Sequence, residues 1–283
     1  MKAHAPKKPQ IVIFTDLDGT LLDHFTYSFE PALPALEALN ERNIPLVLCT
    51  SKTRAETEKI RSRMENTHPF IVENGGAVFI PEDYFSQDLE ISGGSTQKGK
   101  KNAEYQIIEL GTPYARLREV LSQIQDQFPG KIKGFGDLPV AVVAELCELS
   151  EDEALLAKYR EYDEPFVVDE EQLIDEIREA ARLSNLKVTQ GGRFHHLMGA
   201  NDKGNATSRL IAIYRKKIGT LKSVALGDSL NDLPMLAAVD IPILLPKAEG
   251  KFDPSVQLEG LTFAEEPGPK GWCDVVLKIL SSS

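Results

Sequence analysis

Cysteine is scarce: Cys49, Cys147 and Cys273 are odd in number, widely spaced and form no CxxC pair. Neither a disulfide framework nor a zinc site is expected from such a set. Long apolar runs are missing too. No stretch approaches the roughly 20 apolar residues of a membrane-spanning helix, and the first apolar run, 11–14, is too short for a signal-peptide core. Positive charge is the third deficit. Against 43 Asp and Glu stand 32 Lys and Arg, so the 283-residue chain carries a formal net charge of −11. Such a chain makes a poor non-specific binder of nucleic acid or anionic membrane. The expected setting is the cytoplasm, as a monomer or homodimer. An anionic small molecule stays open as a ligand, because a bound cation or a few Lys and Arg residues reverse the field locally.

What is present is ordinary globular composition, 42% hydrophobic and 27% charged, enough to bury a core. Residues 11–80 alternate buried-strand runs with helical patterns. An apolar run at 11–14 is followed by a helix at about 31–42, a run at 44–49, a helix from near Thr53 and a run at 70–72. Near-continuous apolar strands alternating with helices predict a parallel sheet covered on both faces. Residues 201–246 resume that style, with a helix from Lys203, a strand at 223–226 and another at 241–245. The stretch between has a different texture: helices at about 113–128 and 170–183, helical segments at 140–160, and runs at 186–189 and 194–197 that read as paired strands. The expected fold is α/β, a doubly wound, Rossmann-like parallel-sheet core of residues 1–83 and 198–283, with an α+β domain inserted at 84–197.

The sharpest chemical signal is Asp16-Leu17-Asp18-Gly19-Thr20, directly after an apolar strand. Ligands of open α/β sheets sit at strand carboxyl ends. There one carboxylate can attack phosphorus as a nucleophile, and a second, two residues on, can protonate the leaving oxygen. The second signal is Gly227-Asp228-Ser229-Leu230-Asn231-Asp232, again at a strand end. Asp228 and Asp232 offer the hard oxygen ligands that Mg²⁺ takes from carboxylates. Taken singly, Asp-Gly-Thr is also a plain turn signal and Asp228-Ser229 a helix N-cap. Two acidic strand ends far apart in one α/β chain are harder to dismiss. Thr50, after the second strand, and Lys203, at a helix start, can each contact a phosphoryl oxygen.

In this order the four segments resemble the haloacid dehalogenase-like phosphohydrolase superfamily. The resemblance implies Asp16 as nucleophile, Asp18 as general acid/base, Thr50 and Lys203 on the phosphoryl group, and Mg²⁺ held by Asp16, Asp18 through its backbone carbonyl, and Asp228, with Asp232 beside them. It makes the inserted domain a cap over the substrate. Asp at position 18 suits phosphoryl transfer, since a leaving alkoxide needs a proton and a departing halide does not. Finer detail, carried by Thr50-Ser51-Lys52-Thr53, Glu73-Asn74-Gly75-Gly76 and Gly192-Arg193-Phe194-His195-His196, is similar to a branch acting on sugar-linked phosphoglycerates. Arg193 can fork onto a carboxylate, and Ser51, Lys52, Asn74 and His195 supply further donors. The expected partner is a small phosphorylated sugar. Rival readings are a phosphatase of another sugar phosphate, a sugar phosphomutase, and a ligand sensor without catalysis.

Overall fold

A computed structural model describes residues 10–85, 100–101, 104–191 and 194–282. In chain order they begin with β1 (Gln10–Thr15), α1 (Leu33–Glu41), β2 (Leu46–Cys49), α2 (Arg54–Arg63), β3 (Phe70–Val72) and β4 (Ala77–Pro81). Next come β5 (Lys100–Lys101), β6 (Tyr105–Glu109), α3 (Tyr114–Gln127), β7 (Ile132–Gly134), α4 (Val140–Cys147) and α5 (Glu151–Ala157). β8 (Asp163–Val168), α6 (Ile174–Leu183), β9 (Lys187–Gly191), β10 (Phe194–Met198) and α7 (Lys203–Ile218) follow. β11 (Leu221–Gly227), α8 (Leu233–Ala237), β12 (Ile241–Leu244), β13 (Thr262–Phe263) and α9 (Gly268–Ser281) come last. The fold is α/β: a Rossmann-like parallel sheet with helices, and a separate antiparallel sheet with helices of its own. Among the described residues no helix is long and apolar enough to cross a membrane.

The chain divides into two compact units. The first comprises the described parts of 1–49, 83–89 and 207–283. Its strands run β13-β12-β11-β1-β2, each pairing within that order parallel. Every residue of β1 except Gln10 is buried, as an unbroken apolar run in the middle of a parallel sheet must be. β1 pairs with β2 on one side and β11 on the other. The chain thus leaves β1 in one direction and returns on its opposite flank, which makes β1/β11 the switch point where a crevice opens at the carboxyl ends.

The second unit comprises the described parts of 50–82 and 90–206. β3, β4, β6 and β5 pair antiparallel in that order. The parallel pattern expected through residue 80 therefore stops at β3. Only Glu73-Asn74-Gly75-Gly76 joins β3 to β4, and a parallel crossover needs a dozen or more residues. The loop is tight enough to hold Glu73, Asn74 and Gly75 at φ of 47°, 53° and 84°. The other sheet has the order β7-β8-β10-β9, antiparallel throughout. Leu117, Leu121 and Ile124 of α3 and Ile177 and Ala181 of α6 cover one face, against Phe166 and Leu197. α4 and α5 make a smaller cluster with Phe135 and Phe194. α2 and α5 each open on a capping box, Thr53 with Glu56 and Ser150 with Glu153, which satisfies the free N–H groups of both helix starts.

Candidate active site

In the first unit, β1 delivers Asp16 to the crevice. The Asp16 N–H donates to the Leu226 carbonyl of β11 at 2.9 Å. The Thr15 hydroxyl donates to the Asp16 carbonyl at 2.8 Å and accepts the Trp272 indole N–H at 3.0 Å. Beyond Asp16 the chain closes on itself: Gly19 N–H donates to the Leu22 carbonyl, and the Thr20 and Leu22 N–H groups to that of Leu17. Leu17, Leu21 and Leu22 are buried beneath this turn, which carries the half-buried Asp18. Gly19 has φ of 76°, and a Cβ there would lie 3.0 Å from Asp228 Oδ2. Conformation and space both demand glycine.

β11 delivers Asp228 beside it. Asp232 Oδ2 accepts from the N–H groups of Asp228 and Ser229, at 3.0 and 3.1 Å, and from the Ser229 hydroxyl at 3.2 Å. A Cβ on Gly227 would meet Asp232 Cβ at 2.5 Å, so the strand end packs directly on this acid. The carboxylates of Asp16, Asp228 and Asp232 bring oxygen atoms within 4.8 Å of one another, at 5%, 9% and 0% residue exposure. Two like charges 4 Å apart near a protein surface repel by about 4 kcal/mol. A buried trio of hard oxygen donors fits a divalent cation such as Mg²⁺. The hydrogen bonds of Asp232 show how it orients Asp228.

In the second unit, the sequence-nominated Thr50, Asn74 and Lys203 are drawn together by backbone contacts. Thr50 donates its N–H to the Ile71 carbonyl at 3.0 Å, and its own carbonyl accepts the Asn74 N–H at 3.0 Å. Its hydroxyl accepts the Lys52 N–H at 3.1 Å, folding Ser51 and Lys52 into a turn. The Asn201 amide donates to the carbonyls of Asn74 and Glu73, at 3.3 and 3.4 Å. A Cβ on Gly75 would sit 2.1 Å from the Asp202 carbonyl, so only glycine lets the β3–β4 loop reach the start of α7. Asp202 caps that helix, accepting the Asn205 N–H at 2.7 Å, and Lys203 is fully buried.

Behind the Thr50 turn runs a buried chain of charges that sequence reasoning did not single out. The Glu73 carboxylate accepts the N–H groups of Glu161 and Tyr162, at 2.9 and 2.8 Å. Burial pushes its pKa up to about 8, against the pull of the Arg160 guanidinium. Arg160 donates to the carbonyls of Ser51 and Ala157, at 2.9 and 2.8 Å. It lies 3.6 Å from Asp163 Oδ2, which stands 2.7 Å from His196 Nδ1. His195, nominated from the sequence, points to the opposite sheet face: its ring lies 5.6 Å from that of Phe166, with Nε2 3.1 Å from Glu171. Strand alternation was the available signal, since it sends two adjacent histidines to opposite faces. Arg193 lies outside the described residues.

Residues 13–110 match the haloacid dehalogenase-like hydrolase family. Over 273 residues the chain is 48% identical to the glucosyl-3-phosphoglycerate/mannosyl-3-phosphoglycerate phosphatase of Methanococcoides burtonii, an alignment covering 96% of this chain and 98% of that protein. Against the mannosyl-3-phosphoglycerate phosphatase of Pyrococcus furiosus it is 36% identical over 236 residues, 83% of this chain and 90% of the other. Among solved structures, a haloalkanoate-superfamily phosphatase from Bacteroides thetaiotaomicron superimposes with a TM-score of 0.66 at 18% identity, covering 100% of both chains. With near-complete alignment to such relatives, the chain belongs to the haloacid dehalogenase-like hydrolase family.

Proposed function

We propose that this phosphoric monoester hydrolase is Mg²⁺-dependent and acts on glycosyl-3-phosphoglycerates, mannosyl-3-phosphoglycerate foremost, releasing the glycosylglycerate and phosphate. The convergence of Asp16, Asp228 and Asp232 at the carboxyl ends of adjacent parallel strands carries the reading. The names of relatives up to 48% identical support the substrate class. Asp16 attacks phosphorus, the bond to the sugar-linked glycerate oxygen breaks, and Asp18 gives that oxygen its proton. Asp18, now ionised, takes a proton from water, whose oxygen attacks the aspartyl-phosphate and returns Asp16 with release of inorganic phosphate. Asp16, the Asp18 carbonyl and Asp228 would hold the Mg²⁺, with Asp232 fixing the Asp228 turn. When bound, the ion supplies positive charge to the transferring phosphoryl group.

To Thr50 and Lys203 we assign contacts to phosphoryl oxygens, and to Ser51, Lys52 and Asn74 further polar contacts to the substrate. Their common anchoring on the β3–β4 loop supports this. Residues 84–197 are taken as the cap that reads the leaving group, with Arg193 and His195 among its ligands. A cytoplasmic monomer or homodimer without nucleic-acid or membrane partners belongs to the same reading. The test is phosphate release from mannosyl- and glucosyl-3-phosphoglycerate, sucrose phosphate and trehalose phosphate, with and without Mg²⁺. Turnover of the two phosphoglycerates only with Mg²⁺ is expected, and a preference for another ester overturns the substrate assignment.

A further inference from the structure

β10 runs straight from the antiparallel sheet into the turn that leads to Lys203. His195 and Leu197 share the face covered by α3 and α6, so Phe194, His196 and Met198 occupy the other. On that face Phe194 is taken up by the α4–α5 cluster. His196, next along, stands opposite Thr189 of β9 and Pro165 of β8. A carboxylate only accepts hydrogen bonds, so the 2.7 Å contact between His196 Nδ1 and Asp163 Oδ2 fixes the ring proton on Nδ1. Nε2 of the neutral ring is then an acceptor, and among the described residues it has no hydrogen-bond partner. Asp163 is fully buried and tied through Arg160 to the Ser51 carbonyl. A hydrogen bond to Asp163, the Asp163–Arg160 ion pair and the Arg160 bond to the Ser51 carbonyl therefore set the position of His196 relative to the Thr50–Lys52 turn, through buried groups.

We infer that His196 is a specificity-determining residue: its Nε2 accepts a hydrogen bond from a hydroxyl of the sugar, while Asp163 and Arg160 hold the ring in place. The inference rests on the glycosyl-3-phosphoglycerate reading. An Asp-held imidazole of fixed tautomer suits a hydroxyl donor, because its acceptor atom is preset and needs no protonation to act. A site built to hydrogen-bond a substrate hydroxyl discriminates strongly against analogues lacking it.

The experiment compares kcat/KM on mannosyl-3-phosphoglycerate and on 3-phosphoglycerate, which keeps phosphate and carboxylate but has no sugar. His196→Asn keeps a donor for Asp163 near the Nδ1 position and removes the Nε2 acceptor; His196→Gln reaches the Nε2 position. We expect His196→Asn to lose at least tenfold more on the glycosylated substrate than on 3-phosphoglycerate, chiefly through KM, and His196→Gln to recover part of that loss. Thermal melting of both variants checks that they fold. Equal losses on the two substrates overturn the role of His196 even if wild-type preference for the glycosylated substrate stands. A wild-type enzyme indifferent to the sugar overturns the underlying substrate reading instead.

Discussion

The two charged clusters of this protein obey opposite rules. In the first unit, Asp16, Asp228 and Asp232 concentrate one sign of charge at a sheet switch point. In the second, Glu73, Arg160, Asp163 and His196 alternate donors and acceptors along a buried line. A network that neutralises itself can hold loops in place and needs nothing from outside. A crevice crowded with like charge suits a bound cation, which offsets the repulsion. Position at a strand's carboxyl end, as much as residue type, marks the first cluster as the candidate site.

The contrast can be broken first at Asp16. Asp16→Asn is expected to cut phosphate release by roughly a thousandfold or more, as loss of a nucleophile does, with an unchanged circular dichroism spectrum. Retained turnover would remove the nucleophile from the acidic cluster. Next, chelation by EDTA should abolish activity, and Mg²⁺ should restore it and raise the melting temperature. A ligand bound only by the folded state at 100 times its Kd adds about 2.7 kcal/mol. Asp228→Asn should shrink that thermal shift, and an undiminished shift would place the ion elsewhere.

Arg160→Met tests the neutralised cluster. Removing one partner of a buried ion pair costs about 3–5 kcal/mol, read from the urea midpoint; a change of under about 1 kcal/mol would show that Arg160 neutralises nothing. The contrast sharpens further with pH. Folded Glu73 keeps its proton up to about 8, against an ordinary value of 4.5. Between those values the folded state binds more protons than the unfolded, so stability falls as pH rises from 4.5 to 8 and levels off above. Glu73→Gln should flatten that slope in urea titrations, and an unaltered slope assigns it to other groups. Trp272→Phe is the mildest probe: it forfeits the bond to Thr15, for a loss of about 1 kcal/mol in the same titration.

The acidic half of the site was legible in the sequence because strand ends, glycines and acids fall at short fixed spacings. Asp16, Asp18, Asp228 and Asp232 all lie within seven residues of an apolar strand end. Thr50, Asn74 and Lys203 were legible as local motifs, but what joins them is not local. The Asn201 amide bridges to carbonyls more than 120 positions away. The Arg160–Asp163–His196 chain was silent for a related reason. Its members look like ordinary surface residues until Asp163 enters the middle of an antiparallel sheet, which no apolar alternation around Pro165 advertises. The β3–β4 hairpin is signalled in the sequence by Gly75-Gly76 alone, a turn too short for any crossover, against apolar runs that read equally well as parallel strands.

One bond ties the beginning of the chain to its far end: the Trp272 indole on the Thr15 hydroxyl, across 257 positions. β1 is also an interior strand of its sheet and finds its partner β11 only after residue 220. During synthesis β1, with the proposed nucleophile just past its end, therefore emerges more than 200 residues ahead of the strand that completes its setting. β11 must emerge before the Asp16 backbone is held, so a polypeptide that stops short of it exposes the motif without its setting.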